Sequence, residues 1–232
     1  MNKEERFPAQ KPDPNNIIIG FDDYEIHGLF LNPVYIVKRS STTINEEEED
    51  KDIEDIIAGG MQQNYGNVSS INSYIFNSKL KEIKQFCEQQ IKIYVERVIL
   101  PKEELDCYIT QSWLNITKPG GWHHQHCHPN SIISGVFYIA TEEDDDIQFQ
   151  NPLHWPEPKG FFQILSESKN WWNSKDWTIP AIKNQLLLFP SWLRHRVLPN
   201  KNARKDRISI SFNTFVRGTF GNKIGKTELI LK

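Results

Sequence analysis

The stretch that most constrains this chain is His123-His124-Gln125-His126-Cys127-His128, which holds four of its seven histidines. On an extended strand, side chains two apart point the same way. The spacing predicts His124, His126 and His128 on one face, with His123 and Cys127 on the other. Neutral imidazole is the commonest side-chain metal ligand. An i, i+2 pair on a strand brings two of them to one ion, and a third ligand then comes from elsewhere. His195, at the end of Leu187-Leu188-Phe189-Pro190-Ser191-Trp192-Leu193-Arg194-His195, is the obvious donor. The cluster lies mid-chain and ends in a Pro129-Asn130-Ser131 turn signal, so it is not a terminal low-complexity run. It reads as a metal site on a β framework.

The 232 residues fit one larger domain, and the 38 % apolar and 12 % aromatic content can fill a sizeable core. The net charge of −3 gives no broad basic field, so nucleic acid is disfavoured as a partner. No apolar run approaches the 18 or so residues that span a bilayer, so no membrane partner is expected. Cys87, Cys107 and Cys127 form no CxxC pair and leave one over. With no signal-peptide pattern at the start, a reducing cytoplasm is expected.

Along the chain, residues 1–16 read as a loose N-terminal arm. A strand-like stretch runs from Ile17 to Arg39, best over Leu29–Val37, with Pro33 marking an edge or a break. Glu46–Asp55 is an acidic run expected to be a solvated helix start or loop. Gly59–Asn77 is polar and loop-like. Ser78–Val98 is the clearest helix: Leu80, Ile83, Cys87, Ile91, Tyr94 and Val98 step by three or four, with Asn77 or Ser78 as the cap. Residues 17–105 thus supply an N-terminal strand and helical support. Short strands follow at Cys107–Thr117, Ile132–Ala140, Ile147–Gln150, Gln185–Phe189, Arg194–Leu198 and Arg207–Val216, which suggests a sandwich or jelly roll over 106–216. A tail occupies 217–232. Between the strands, Asn151–Ile179 carries four of the seven tryptophans and reads as a loop over the mouth of the barrel.

The last strand alternates without a miss. Ile208, Ile210 and Phe212 face one way; Arg207, Ser209, Ser211 and Asn213 face the other. Polar groups on a central strand need partners or a polar cavity. A hairpin return after His195 would bring Arg207 into the same cavity, where a guanidinium can grip a carboxylate bidentately. Metal-held histidines followed by an inward Arg-x-Ser suggest a bound α-keto acid.

Taken together, Gln111-Ser112-Trp113-Leu114-Asn115, His126-Cys127-His128-Pro129-Asn130-Ser131, Ser134-Gly135-Val136-Phe137-Tyr138, Phe189-Pro190-Ser191-Trp192-Leu193-Arg194-His195 and Arg207–Asn213 resemble the 2-oxoglutarate/Fe(II)-dependent oxygenase superfamily, in particular the oxygenases of marine phages and bacteria. Leu29–Val34 shares the likeness. The resemblance implies a mainly β fold, a double-stranded β-helix (jelly roll) core with flanking α-helices. It implies Fe(II) and 2-oxoglutarate as cofactor and cosubstrate, and O2 as co-reactant. The activity would be that of a dioxygenase, a hydroxylase converting 2-oxoglutarate to succinate, in the host cytoplasm if phage-encoded. Carried over, His126 takes the first ligand position and His195 the distal one. Arg207 and Ser209 fall on the Arg-x-Ser that holds the far carboxylate, and Asn115 and Tyr138 are further cosubstrate contacts.

The departure is at the usual Asp/Glu of the facial triad, which here is His128. Three readings stand: His128 ligates, His128 stands aside, or His124 and His126 are the pair. The His-x-His-Pro pattern favours the first, giving His126, His128 and His195. Two other functions remain open at this stage: a cupin-like three-histidine metal enzyme without 2-oxoglutarate, and a non-catalytic jelly-roll binding module. The substrate, a peptide side chain or a small molecule, is not written in the sequence, nor is the oligomeric state.

Overall fold

The computed structural model describes residues 31–40, 45–152, 168 and 174–232. The expected arm over 1–16, the strand onset at Ile17 and most of the Trp-rich connection, including Trp155, Trp171 and Trp172, lie outside the described residues.

Two antiparallel sheets carry the fold. The larger runs in the order β1 (Tyr35–Lys38), β9 (Gln185–Pro190), β6 (Ile133–Ala140), β11 (Arg207–Phe220), β4 (Asp106–Thr117), β3 (Asn67–Ser70) and β2 (Met61–Asn64), with β12 (Leu229–Leu231) paired to β11. The smaller runs β5 (His123–His126), β10 (His195–Val197), β7 (Asp146–Gln150) and β8 (Asp176–Pro180). Ile147, Phe149 and Leu193 from the smaller sheet and its approach pack with Val136, Tyr138, Leu187 and Phe189 of the larger. Pro33 lies just before β1, and β1 is an edge strand, where the missing N–H costs no ladder bond.

The far face of the larger sheet is covered by α1 (Glu46–Ala58) and α2 (Lys81–Tyr94). Ile83, Cys87, Ile91 and Tyr94 of α2 form the predicted stripe and bury against Leu114, Phe137, Ile210 and Phe212. Each such side chain contributes roughly 1.5–3 kcal/mol by leaving water. Gly135 on β6 sits under the Phe212 ring, and a Cβ there would lie 2.1 Å from Phe212 Cζ.

Several expectations are corrected. The helix starts at Lys81, not Ser78, because Ile75–Asn77 forms a 3-10 turn. Its N-cap is Leu80 with φ 56°, and the cap is supplied in trans: Asp52 Oδ2 accepts from Leu80 N at 2.6 Å. Val98 falls in a π-helical turn, Val95–Ile99, and is half-exposed, so the stripe ends at Tyr94. The loop-like Gly59–Asn77 contains the β2–β3 hairpin, closed by Tyr65-Gly66, and the tail holds β12. No hairpin joins β10 to β11: they lie in different sheets. Among the described residues no helix is long and apolar enough to cross a membrane.

Candidate metal centre and cosubstrate face

β5 and β10 pair antiparallel with His195 opposite His126. That register sets the two rings 4.4 Å apart, centroid to centroid. His128 lies beyond the end of β5, in the turn, with its N–H donated to Ser191 O at 2.9 Å. Its ring stacks on His126 (5.0 Å, 16°) and lies 5.1 Å from that of His195. The structure therefore brings His126, His128 and His195 together, with one potential ligand atom from each within 4.8 Å of the others. The expected facial arrangement differs: β5 is irregular enough that the His123 ring sits 4.6 Å from that of His126 rather than opposite it.

Each of the three rings has its Nδ1 engaged with an oxygen. His126 Nδ1–H donates to His124 O at 2.8 Å, and His195 Nδ1–H to Leu193 O at 2.9 Å. His128 Nδ1–H donates to Asn213 Oδ1 at 2.5 Å. A carbonyl oxygen only accepts, so this fixes the Nδ1–H tautomer and leaves every Nε2 with a lone pair. The Nε2 atoms of His126 and His128 face each other at 3.1 Å. Two lone pairs at that distance repel unless a cation or proton lies between them, so the donor set fits a metal ion.

Burial enforces the neutral form. Desolvation pushes His126 down to about 4, holds His195 well below its usual range, and lowers His128. Phe149 and Phe189 flank His195, at 5.9 and 4.8 Å between ring centroids, and supply that dry wall. Asn213 is held in turn: Ser134 Oγ donates to its Oδ1 at 3.1 Å and contacts Ser191 Oγ at 2.8 Å, and Ser191 Oγ donates to Ser131 Oγ at 2.7 Å. Sequence reasoning put Asn213 on the inward face without giving it a task, and carried Ser131, Ser134 and Ser191 only as members of motifs, with no role. Polar residues in otherwise apolar strands were the available signal.

A second histidine triplet, His123, His124 and His126, also has ligand atoms within 4.8 Å of one another. The buried Nδ1 atoms of His123 and His124 have no hydrogen-bond partner. The Tyr65 ring lies 3.9 Å from that of His124. Both triplets use His126, whose Nδ1 is already donated, so one ion at a time can take its remaining lone pair.

On the larger sheet, register aligns Asn115 with Ser209 and Ser209 with Tyr138, so the three form one row on one face. Asn115 Nδ2 donates to Ser211 Oγ at 3.0 Å. Burial pushes the Tyr138 phenol up to about 12, so it stays a donor. Arg207 is 5 % exposed. Its Nη1 donates to Asp146 O at 3.2 Å and its Nη2 to Thr117 Oγ1 at 3.4 Å, while Nε has no partner. The other strongly buried arginine of the described residues, Arg39, is paired with the Glu49 carboxylate at 2.5 Å. Arg207 has no carboxylate within ion-pair distance among the described residues, and the Asp146 carboxyl acts on it from farther away. A buried guanidinium without a close counter-ion is costly, and an incoming anion offsets that cost. The acidic loop Glu142–Asp146 is engaged locally: Glu142 Oε2 accepts from Arg204 N, and Asn200 Nδ2 donates to Asp145 Oδ1 at 3.2 Å.

Residues 111–213 match the sequence model of the family described as "Putative 2OG-Fe(II) oxygenase". No curated protein matches the chain. Solved structures share the fold at low identity. A Pseudomonas putida prolyl-4-hydroxylase aligns at 12 % identity over 79 % of this chain and 93 % of that one, TM-score 0.51. A Trichoplax adhaerens prolyl hydroxylase, in complex with a hypoxia inducible factor oxygen degradation domain peptide fragment, aligns at 15 % over 79 % and 84 %, TM-score 0.52. The non-heme alpha ketoglutarate dependent carbocyclase SnoK from nogalamycin biosynthesis aligns at 10 % over 84 % and 85 %, TM-score 0.54. The two-sheet architecture is the double-stranded β-helix of these oxygenases.

Proposed function

We propose that this chain, which carries the 2-oxoglutarate/Fe(II) oxygenase match over residues 111–213, is a hydroxylase whose iron is held by His126, His128 and His195. The observation that carries the reading is the set of three Nδ1-anchored imidazoles with their Nε2 lone pairs converging. When bound, Fe(II) and 2-oxoglutarate supply the oxidation: O2 is consumed, 2-oxoglutarate loses CO2 to become succinate, and one oxygen atom goes to the substrate.

The chain's own residues do the positioning. Arg207 grips the far carboxylate of 2-oxoglutarate, with the Nε–H that lacks a partner as one of its donors. Ser209 and Tyr138 add hydroxyl donors from the neighbouring rows, and Asn115 fixes Ser211 beside them. Phe149, Phe189 and Leu193 keep water away from His195. Three neutral ligands leave the ion with one more unit of positive charge than a triad containing a carboxylate. A nitrogen-only set also binds nickel, copper and zinc more tightly than iron.

The second reading, favoured by the His123–His124–His126 triplet, gives the ion to that group. Iron affinity and succinate formation separate the two. If His128 ligates, His128→Asp recreates the commoner triad and binds Fe(II) more tightly than His128→Ala. Equal affinity in the two variants, with loss only in His124→Ala, moves the ion to the second triplet. A wild type loaded with Fe(II) that forms no succinate from 2-oxoglutarate and O2 overturns the oxygenase reading.

A further inference from the structure

The row Asn115–Ser209–Tyr138 does not stop at β4. Register continues it through Ser69 on β3 to Gln62 on the edge strand β2. One face of the larger sheet thus carries, in a line across five strands, the cosubstrate groups at one end and a cleft of about 280 Å³ at the other. The cleft is lined by Gln62, Asn64, Ser69, Ser73, Gln111 and Trp113, among others. None of the residues that line it is charged. Two of its other lining residues are committed to the fold: Gln63 Nε2 donates to Tyr65 O and Asn67 O, and Ser70 Oγ accepts from Leu114 N. The side chains of Gln62, Asn64, Ser69, Ser73 and Gln111 have no hydrogen-bond partner among the described residues. Trp113 closes the inner end, with its ring 6.0 Å from that of His128.

Side-chain amides offer a donor and an acceptor on one short fork, and hydroxyls offer both on one atom. A ligand that matches such a surface is uncharged and presents paired donors and acceptors along its length. An aromatic face at the end of such a surface takes up a C–H-rich ring face. A neutral saccharide has all three properties. An anionic substrate would lack a cation here, and a peptide with large apolar or charged side chains would lack pockets for them. Two strand spacings separate β4 from β2, roughly 10 Å, which suits a few sugar units.

We propose that this cleft is the substrate site and that it takes a neutral saccharide, one end of which stacks on Trp113 beside the metal centre. The assignment rests on the oxygenase reading for its chemistry, but its binding test does not. Cellotetraose, xylotetraose and maltotetraose are each titrated into the full chain by calorimetry and saturation-transfer NMR. The titrations are run with Mn(II) and 2-oxoglutarate under anaerobic conditions, and again without them. At least one tetraose binds wild type in both conditions. Gln62→Leu/Gln111→Leu, both exposed positions, weakens it tenfold or more while circular dichroism and Mn(II) binding stay unchanged. No binding by any of the three, binding indifferent to the double substitution, or binding only by a blocked Gly-Ser-Pro-Gly peptide overturns the proposal. If a tetraose binds but no succinate forms from 2-oxoglutarate, the oxygenase reading fails and the cleft stands. If succinate forms and no tetraose binds, the reverse holds.

Discussion

The larger sheet has two faces that share every strand and nothing else. Toward the helices, Ile210 and Phe212 of β11 are fully buried among Leu114, Phe137, Leu186 and Leu188. Toward the smaller sheet, the same strand presents Arg207, Ser209 and Asn213 to a row of polar side chains and three histidines. The helix face holds apolar groups whose burial stabilises the fold. The other face adds to its own apolar cluster of Val136, Leu187 and Phe189 a row of buried polar groups, which cost free energy wherever no hydrogen bond, ion or ligand joins them. The period of two separates stability from chemistry along one strand, so a substitution on one face should leave the other intact.

The strongest way to break that separation is at the histidines. His195→Ala should abolish stoichiometric binding of Mn(II), measured by elemental analysis after desalting, while the denaturation midpoint of the metal-free chain barely moves. Unchanged metal content would remove His195 from the site. On the opposite face, Phe212→Ala should cost about 3–5 kcal/mol in urea unfolding, as for other fully buried phenylalanines. Mn(II) affinity, measured below the transition, should remain within a few-fold. A smaller effect is expected at Arg207→Leu. A charged bidentate contact is worth about 1.5–3 kcal/mol, so 2-oxoglutarate affinity should fall by roughly ten- to more than a hundredfold by anaerobic calorimetry. Stability should hold or rise, since a buried charge without a close counter-ion is removed. A collapsed fold in this variant would instead make Arg207 a structural residue.

The smallest effect is on pH. Burial holds His123 and His126 near 4 and lowers His128 and His195 in the folded chain, against about 6.5 unfolded. Between those values the unfolded chain binds more protons, so the histidines' contribution to metal-free stability is constant above about pH 6.5 and falls as the pH drops toward 4. Phe212→Ala should shift the whole curve without changing its slope, whereas His126→Ala should flatten it. Urea titrations at half-unit pH steps read both.

Much of this was legible because the signals are periodic. Arg207–Asn213 alternates strictly, and the α2 stripe steps by three and four, so both faces of β11 and the helix beneath them follow from local sequence. The site's partners were legible only as residue types. Nothing local to His128 says that Asn213, 85 positions later, orients it. The β2–β3 hairpin was missed because Met61-Gln-Gln-Asn and Asn67-Val-Ser-Ser hold few β-branched or aromatic residues. Its Tyr65-Gly66 turn was the one cue. The start of α2 was misplaced because its cap comes from Asp52 on α1, a contact between segments 28 residues apart.

Gly135 and Phe212 form a pair in which each limits what the other can become. The ring occupies the volume that any side chain at 135 would need, with Cζ, Cε1 and Cε2 all within 2.6 Å of the Cβ position. Alanine at 135 is therefore blocked while phenylalanine stays at 212. A smaller residue at 212 alone leaves a hole, at the cost given above. Neither single step is neutral, so a lineage that exchanges this pair crosses a valley or changes both together. Among homologues, glycine at 135 should travel with a large aromatic at 212, and loss of one should mark loss of the other. Gly135→Ala combined with Phe212→Leu should be less damaging than the sum of the two single changes.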